Sequence, residues 1–230
     1  MSDAQLPAEQ FAALSAVPRI IHGFTLRVPG IEMSHDKADV LARLDSVHRS
    51  IRADHAVSTM PFITAQQIHG NEIAVVNVSP SADKCFADCD GIITDQRGIC
   101  LGIYVVDCCA VYLVDPVRSA IGLVHSGKKG TESGIVPNAI KAMTVHFGSR
   151  PSDLIVQLSP CIRPPHYEID FAGEIVRQCR ALGVNSIHDN GVCTACDLTR
   201  YYSYRAEKGR TGRMLAFLAL DYSSLSSPAR

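Results

Sequence analysis

The sequence lacks any run of about 18 consecutive apolar residues, the length a helix needs to cross a bilayer, so no segment is expected to span a membrane. It also lacks a basic tract and an acidic tail, and its formal net charge is −1. That balance removes the electrostatic case for nucleic acid or an anionic membrane surface as a partner. The opening stretch MSDAQLPAEQFAALSAV is acidic and too polar for a secretory signal, which makes a cytoplasmic location the simplest expectation. No linker, repeat or low-complexity segment interrupts the chain. None of its nine histidines falls in an H-x-H pair, which argues against the histidine clusters of a multicopper oxidase. The nucleoside-deaminase zinc signature, H-x-E followed by P-C-x-x-C, is absent as a combination.

What is present is a soluble globular composition. The 230 residues are 47 % apolar and 20 % charged, enough to bury a sizeable core. Nine cysteines are many, and their odd number argues for buried thiols, a metal or a nucleophile rather than a disulfide framework. Cys85, Cys89, Cys100 and Cys179 read as small core hydrophobes. Cys193-Thr194-Ala195-Cys196 is a lone CxxC without the βαβ context of a redox motif, and is expected to be chance or a buried pair.

Periodicity predicts strands at 19–27, 61–69, 72–78, four short runs between 90 and 124, then 153–160 and 213–220. Gly70-Asn71 reads as a hairpin turn joining the second and third. Helices are expected over 36–53, 131–148 (with Pro137 in the first turns), 171–182 and 198–209. Consecutive strands with helices before, between and after them predict one α+β domain on a mixed sheet. An N-terminal extension is expected over 1–18, and the domain over 19–230.

The stretch GLVHSGKK is one residue short of a phosphate-cradling P-loop, since Lys129 occupies the position where Ser or Thr would hold Mg²⁺. The loop still offers Gly127, Gly130, two lysines and a helix start, which together favour an anion. His69, Cys108 and His125 each end a strand-like run. Three ligands of N, S and N type leave a fourth position for water or substrate, as in catalytic zinc; they also read as unrelated turn and core residues. Asp107 is expected either to orient a ligand histidine or to cap its own turn.

Five stretches in order carry a further likeness: QQIHGNEIAVV, ADCDGIITDQRGICLGIYVVDCCAVYLVDP, GLVHSGKKGTESGIVPNAIKAM, SPCIRPPHYEID and YYSYRAEKGRTGRMLAF. Over about residues 19–220 the chain resembles the bacterial YfiH/YlmD family, known as laccase-domain proteins and as zinc-containing purine nucleoside phosphorylases. The resemblance implies an α/β/α domain around a mixed sheet. It implies Zn²⁺, with copper as the alternative, held by His69, Cys108 and His125, with Asp107 beside them in the catalytic set. It further implies phosphorolysis of adenosine, inosine, guanosine and methylthioadenosine, with some adenosine deamination; a monomer or homodimer is expected. Arg27, Lys128, Lys129 and the N–H groups around Gly127 and Gly130 are then the expected phosphate ligands. The family's H-A-G-W-R-G reads HSGKKG here, so a lysine replaces a base-stacking tryptophan and another replaces a bidentate arginine. Two rival readings remain: a hydrolase with Cys108 as thiolate nucleophile, and a metal- or nucleoside-binding protein with reduced catalysis.

Overall fold

The structure, a computed structural model, describes residues 8–222; residues 1–7 of the expected extension and the last eight, 223–230, lie outside the described residues. In chain order the elements are β1 (Ala8–Glu9), α1 (Ala12–Ser15), β2 (Ile20–Thr25), α2 (Lys37–Asp54), β3 (Phe62–Ala65), β4 (Ile73–Val76), β5 (Lys84–Phe86) and β6 (Gly91–Thr94). They continue with β7 (Cys100–Val105), β8 (Cys109–Asp115), β9 (Ala120–Ser126), α3 (Lys128–Glu132), α4 (Ile135–Phe147), β10 (Ile155–Leu158), α5 (Phe171–Ala181), β11 (Ser186–Asp189) and β12 (Met214–Leu220). Among the described residues, no helix is long and apolar enough to cross a membrane.

The strands form two six-stranded mixed sheets, ordered β1-β2-β12-β7-β3-β5 and β11-β10-β8-β9-β6-β4. The class is the expected α+β, and the β layer of the α/β/α arrangement is double. The reason is visible in β8 and β12, whose side chains are buried on both faces. Ala110, Tyr112 and Val114 of β8 meet Met214, Ala216 and Leu218 of β12 in the core between the sheets. Their neighbours in sequence point the other way. Val111 and Leu113 pack on Ile140 and Met143 of α4 and Ile175 of α5. Leu215 and Phe217 pack against Ile51 of α2. Continuous apolar runs, rather than alternating ones, are what such doubly covered strands require.

Helix ends follow their capping chemistry. Asp36 accepts from the Asp39 amide at 2.8 Å to start α2, and Asp170 accepts from Gly173 at 2.9 Å to start α5. The single helix expected over 131–148 is two, because Gly134 at φ +76° interrupts the spiral between α3 and α4. Gly148, also left-handed, closes α4.

Three expectations are corrected. β3 and β4 are not a hairpin: β3 lies between β5 and β7 in one sheet, while β4 edges the other. The segment joining them therefore crosses between sheets. No helix forms over 198–209, since Asp197 takes the Thr199 and Arg200 amides into a turn, and Tyr201, Tyr202 and Ser203 are all buried, which no single helical face permits. Cys85 is exposed rather than a core residue. Residues 8–15 carry structure of their own: β1 pairs with β2, and Phe11 and Leu14 enter the inter-sheet core.

Candidate metal centre

The three sequence-predicted ligands come together. His69 sits in the β3–β4 crossing, Cys108 in the turn from β7 to β8, and His125 near the end of β9. Their Nδ1/Nε2 and Sγ atoms all lie within 4.8 Å of one another, and the two imidazoles meet edge to face with centroids 4.8 Å apart.

The backbone around them is unusual. Gln67, His69 and Asp107 adopt φ of +64°, +64° and +66°, a left-handed region that non-glycine residues enter at a cost. Asp90 holds the first of these bends. Its fully buried carboxylate accepts from the amides of Ile68, His69 and Gly70 at 3.1, 2.9 and 2.7 Å. Gln67 anchors the same bend to β7, its amide donating to Tyr104 O at 2.6 Å and its carbonyl accepting from Tyr104 N at 3.0 Å.

Asp90 also bonds His125 Nδ1 at 2.9 Å. A carboxylate acceptor fixes the proton on Nδ1 and turns Nε2 toward the cluster, the usual support for a metal-binding histidine. Burial opposes ionisation of Asp90, but hydrogen bonds from His125, Gly70 and His69 outweigh it and hold the carboxyl below its ordinary range. Burial likewise opposes charge on Cys108, yet the nearby His125 charge and hydrogen bonds from both histidines bring its thiol down to about 6. Burial disfavours the His125 cation too, and the Cys108 sulfur and Asp90 raise it to about 9. Both shifts run toward the charged forms, thiolate and imidazolium, because each favours the other. A soft divalent cation fits this donor set, since it needs the thiolate and would take the place of the imidazolium proton.

Gly127 makes room for the sulfur. A Cβ at Gly127 would stand 2.5 Å from Cys108 Sγ.

Asp107 does not touch a ligand histidine. It accepts from Thr194 Oγ1 at 2.7 Å and from the Arg205 amide at 2.8 Å, while its carbonyl accepts from Ile162 N at 2.8 Å. It fixes the turn that presents Cys108.

A cavity of about 600 Å³ opens over the cluster. Its walls include Tyr104, Tyr167, Phe171 and Tyr204, with Lys37, Lys128, Arg205 and Arg213 as cations. Lys128 pairs with Glu132 at 2.8 Å and Arg205 with Glu168 at 3.1 Å. Lys37 and Arg213 have no carboxylate partner among the described residues: Lys37 Nζ donates to Gln66 O, and Arg213 Nη1 to the carbonyls of Thr211 and Gly212. Burial lowers the Arg213 pKa; burial, then the Arg213 charge, lowers that of Lys37. Two cations beside a cavity, with no carboxylate on either among the described residues, suit an anion.

Of the other expected phosphate ligands, Gly127 lines the cavity and Lys129 does not. Gly130 is buried, and a Cβ there would stand 3.4 Å from Gly70 O. Arg27 lies elsewhere, paired with Glu207 at 2.6 Å and stacked over Tyr202. Sequence reasoning missed Asp90, Lys37 and Arg213. The Asp90-Gly91 step before an apolar strand, and a lone cation opening the apolar run of β12, were the available signals.

The sequence matches the family described as "Multi-copper polyphenol oxidoreductase laccase" over residues 27–174 and 169–221. It is 28 % identical over 218 residues to purine nucleoside phosphorylase ORF3 of Streptomyces griseus, spanning 84 % of this chain and 86 % of that one. It is 25 % identical over 252 residues to purine nucleoside phosphorylase YlmD of Bacillus subtilis (strain 168), spanning 87 % and 88 %. The fold superposes on the crystal structure of YlmD from Geobacillus stearothermophilus with a TM-score of 0.79 at 23 % identity, over 93 % of this chain and 98 % of that one.

Proposed function

The chain belongs to the YfiH/YlmD family, and from that premise we propose that it is a zinc-dependent purine nucleoside phosphorylase. Adenosine, inosine, guanosine or methylthioadenosine would react with inorganic phosphate to give free base and pentose-1-phosphate, with adenosine deamination as a side activity. The observation that carries this reading is the cavity itself, in which two unpaired cations, four aromatic rings and the His69–Cys108–His125 donors line one space.

In phosphorolysis a phosphate oxygen attacks the sugar C1′, the bond from C1′ to the purine breaks, and the base departs with the electron pair. The chain must gather the anion, seat the base and exclude water. Arg213 and Lys37 are the residues for the anion, with Lys128 held in reserve by Glu132. Tyr104, Tyr167, Phe171 and Tyr204 offer the apolar faces that the missing tryptophan would have given. Asp90 orients His125, Gly127 admits the Cys108 sulfur, and Asp107 holds the turn carrying it. His69, Cys108 and His125 would hold Zn²⁺, which supplies Lewis-acid stabilisation of developing negative charge when bound. Among the described residues the two candidate metal clusters have three donors each, and neither is the histidine-rich assembly that the word multi-copper suggests.

The test is turnover by zinc-loaded protein given adenosine or inosine with and without phosphate, with base, sugar phosphate and inosine separated by chromatography. Phosphate-dependent base release that disappears in Cys108→Ala is the expected result. Absence of both base and inosine would overturn the reading.

A second reading has one observation in its favour. Cys108, His125 and Asp90 stand in the order of a cysteine hydrolase's nucleophile, base and orienting carboxylate. Iodoacetamide distinguishes the two. Fast alkylation of Cys108 that zinc does not slow would favour the hydrolase; protection by zinc favours the metal centre.

A further inference from the structure

The lone CxxC acquires a partner in the fold. We propose that His166, Cys193 and Cys196 form a second metal site, for a soft divalent cation of the zinc class, that clasps the segment bearing Tyr167 to the turn bearing Thr194. His166 Nδ1 lies 3.5 Å from Cys196 Sγ and 3.8 Å from Cys193 Sγ, and all three donors are within 4.8 Å of one another. Tetrahedral zinc, with Zn–N of about 2.0–2.1 Å and Zn–S of about 2.3 Å, sets nitrogen and sulfur about 3.5–3.6 Å apart. The observed spacings need only small side-chain adjustments to receive it.

The scaffold for this set is already in place. Cys193 precedes the 3₁₀ turn Thr194–Cys196 and its carbonyl accepts from Cys196 N at 3.2 Å, which folds the two cysteines together with both sulfurs against His166. Backbone bonds tie this turn to the segment carrying the histidine: Thr194 N donates to Cys161 O at 3.1 Å, and Cys161 N to Val192 O at 3.3 Å. Arg163, on the same segment, pairs with Asp189 just ahead of the turn. Cys193 is buried, whereas His166 and Cys196 are exposed, which leaves the fourth position to solvent. Two thiolates and an imidazole select zinc-like cations over Mg²⁺ or Ca²⁺, which prefer oxygen.

None of the three donors lines the cavity. Tyr167 follows His166 and forms cavity wall. Thr194, between the two cysteines, donates to Asp107, the residue before Cys108. A cation at the clasp therefore steadies the wall and the Cys108 turn without meeting substrate.

The experiment is a metal count on the full-length protein, purified with a thiol reductant and loaded with Zn²⁺, then repeated with Co²⁺ to read thiolate-to-metal absorption. Wild type should bind two equivalents. Cys196→Ser and His166→Ala alter exposed side chains and should each bind one, with loss of the two-thiolate part of the cobalt spectrum. His125→Ala should retain the clasp equivalent, so loss of the first centre and loss of the second read differently. Wild-type zinc content in both Cys196→Ser and His166→Ala would overturn the proposal, as would a single wild-type equivalent that only His125→Ala removes.

Discussion

Asp90 and His125 are joined by a 2.9 Å hydrogen bond, and the same carboxylate accepts three successive amides of the bend that carries His69. One buried side chain thus sets the positions of two of the three donors. Asp90→Asn should weaken zinc binding about 10- to 100-fold, the usual cost of disturbing such support. Competition with a chromophoric chelator measures it, and an unchanged affinity would show that the histidines position themselves.

Gly127→Ala places a methyl carbon 2.5 Å from Cys108 Sγ in the present geometry. The sulfur must move, and zinc affinity should fall at least about tenfold. Gly148→Ala, on the far side of α4 with no neighbouring atom to strike, should cost stability through its left-handed φ but leave metal binding intact. Equal zinc affinity in the two variants would contradict the steric account.

Arg213→Ala should raise the KM for phosphate by about tenfold or more, since a hydrogen bond to a charged group contributes about 1.5–3 kcal/mol. The KM for nucleoside should change far less. Arg27→Ala, by contrast, breaks an ion pair with Glu207 outside the cavity and should lower thermal stability while leaving the phosphate KM alone. Steady-state kinetics on the two variants separates these roles.

Stability should fall in mild acid. Burial lowers the pKa of His22 to about 4, with repulsion from His55 adding to it, and burial does the same for His48, which Arg52 opposes and Asp45 favours charging. His22 accepts from the Phe11 amide at Nε2, and neither nitrogen of His48 has a hydrogen-bond partner among the described residues. Above pH 6.5 both are neutral, folded or not, and contribute nothing. Between 6.5 and about 4 the unfolded chain binds protons that the folded chain refuses. Each histidine then lowers stability by up to about 1.4 kcal/mol per pH unit. Urea unfolding across that range should show the slope, and His48→Leu should remove about half of it.

Much of this was legible in the sequence, for identifiable reasons. The runs that became β7, β8, β9 and β12 announced themselves because both faces of those strands are covered, so polar residues fall only at their ends. His69, Cys108 and His125 stood out because each is a strong metal-ligand type at the end of a strand-like run. The hairpin expectation failed because Gly70-Asn71 fits a turn locally, while the pairing of β3 with β7 and of β4 with β6 is decided far along the chain. Asp90 stayed hidden because a single aspartate before a strand reads as a turn residue. Its three amide partners lie 20 to 22 positions earlier. The CxxC looked accidental because its third member, His166, is 27 residues ahead of Cys193 in a segment that no local spacing connects to it.

Residues 66–72 and 106–108 are two of the segments on which the chain passes between the two sheets, and His69 and Cys108 lie on them, while His125 belongs to one sheet alone. A cation shared by the three is then a cross-link across the seam of the sandwich, closing long loops that the unfolded chain would otherwise leave free. Removing it with a chelator should loosen the seam before either sheet frays. Amides of the two passages should lose their protection against hydrogen exchange while those at the centre of β8 keep theirs, so that the centre's occupancy can be followed from the backbone without any substrate at all.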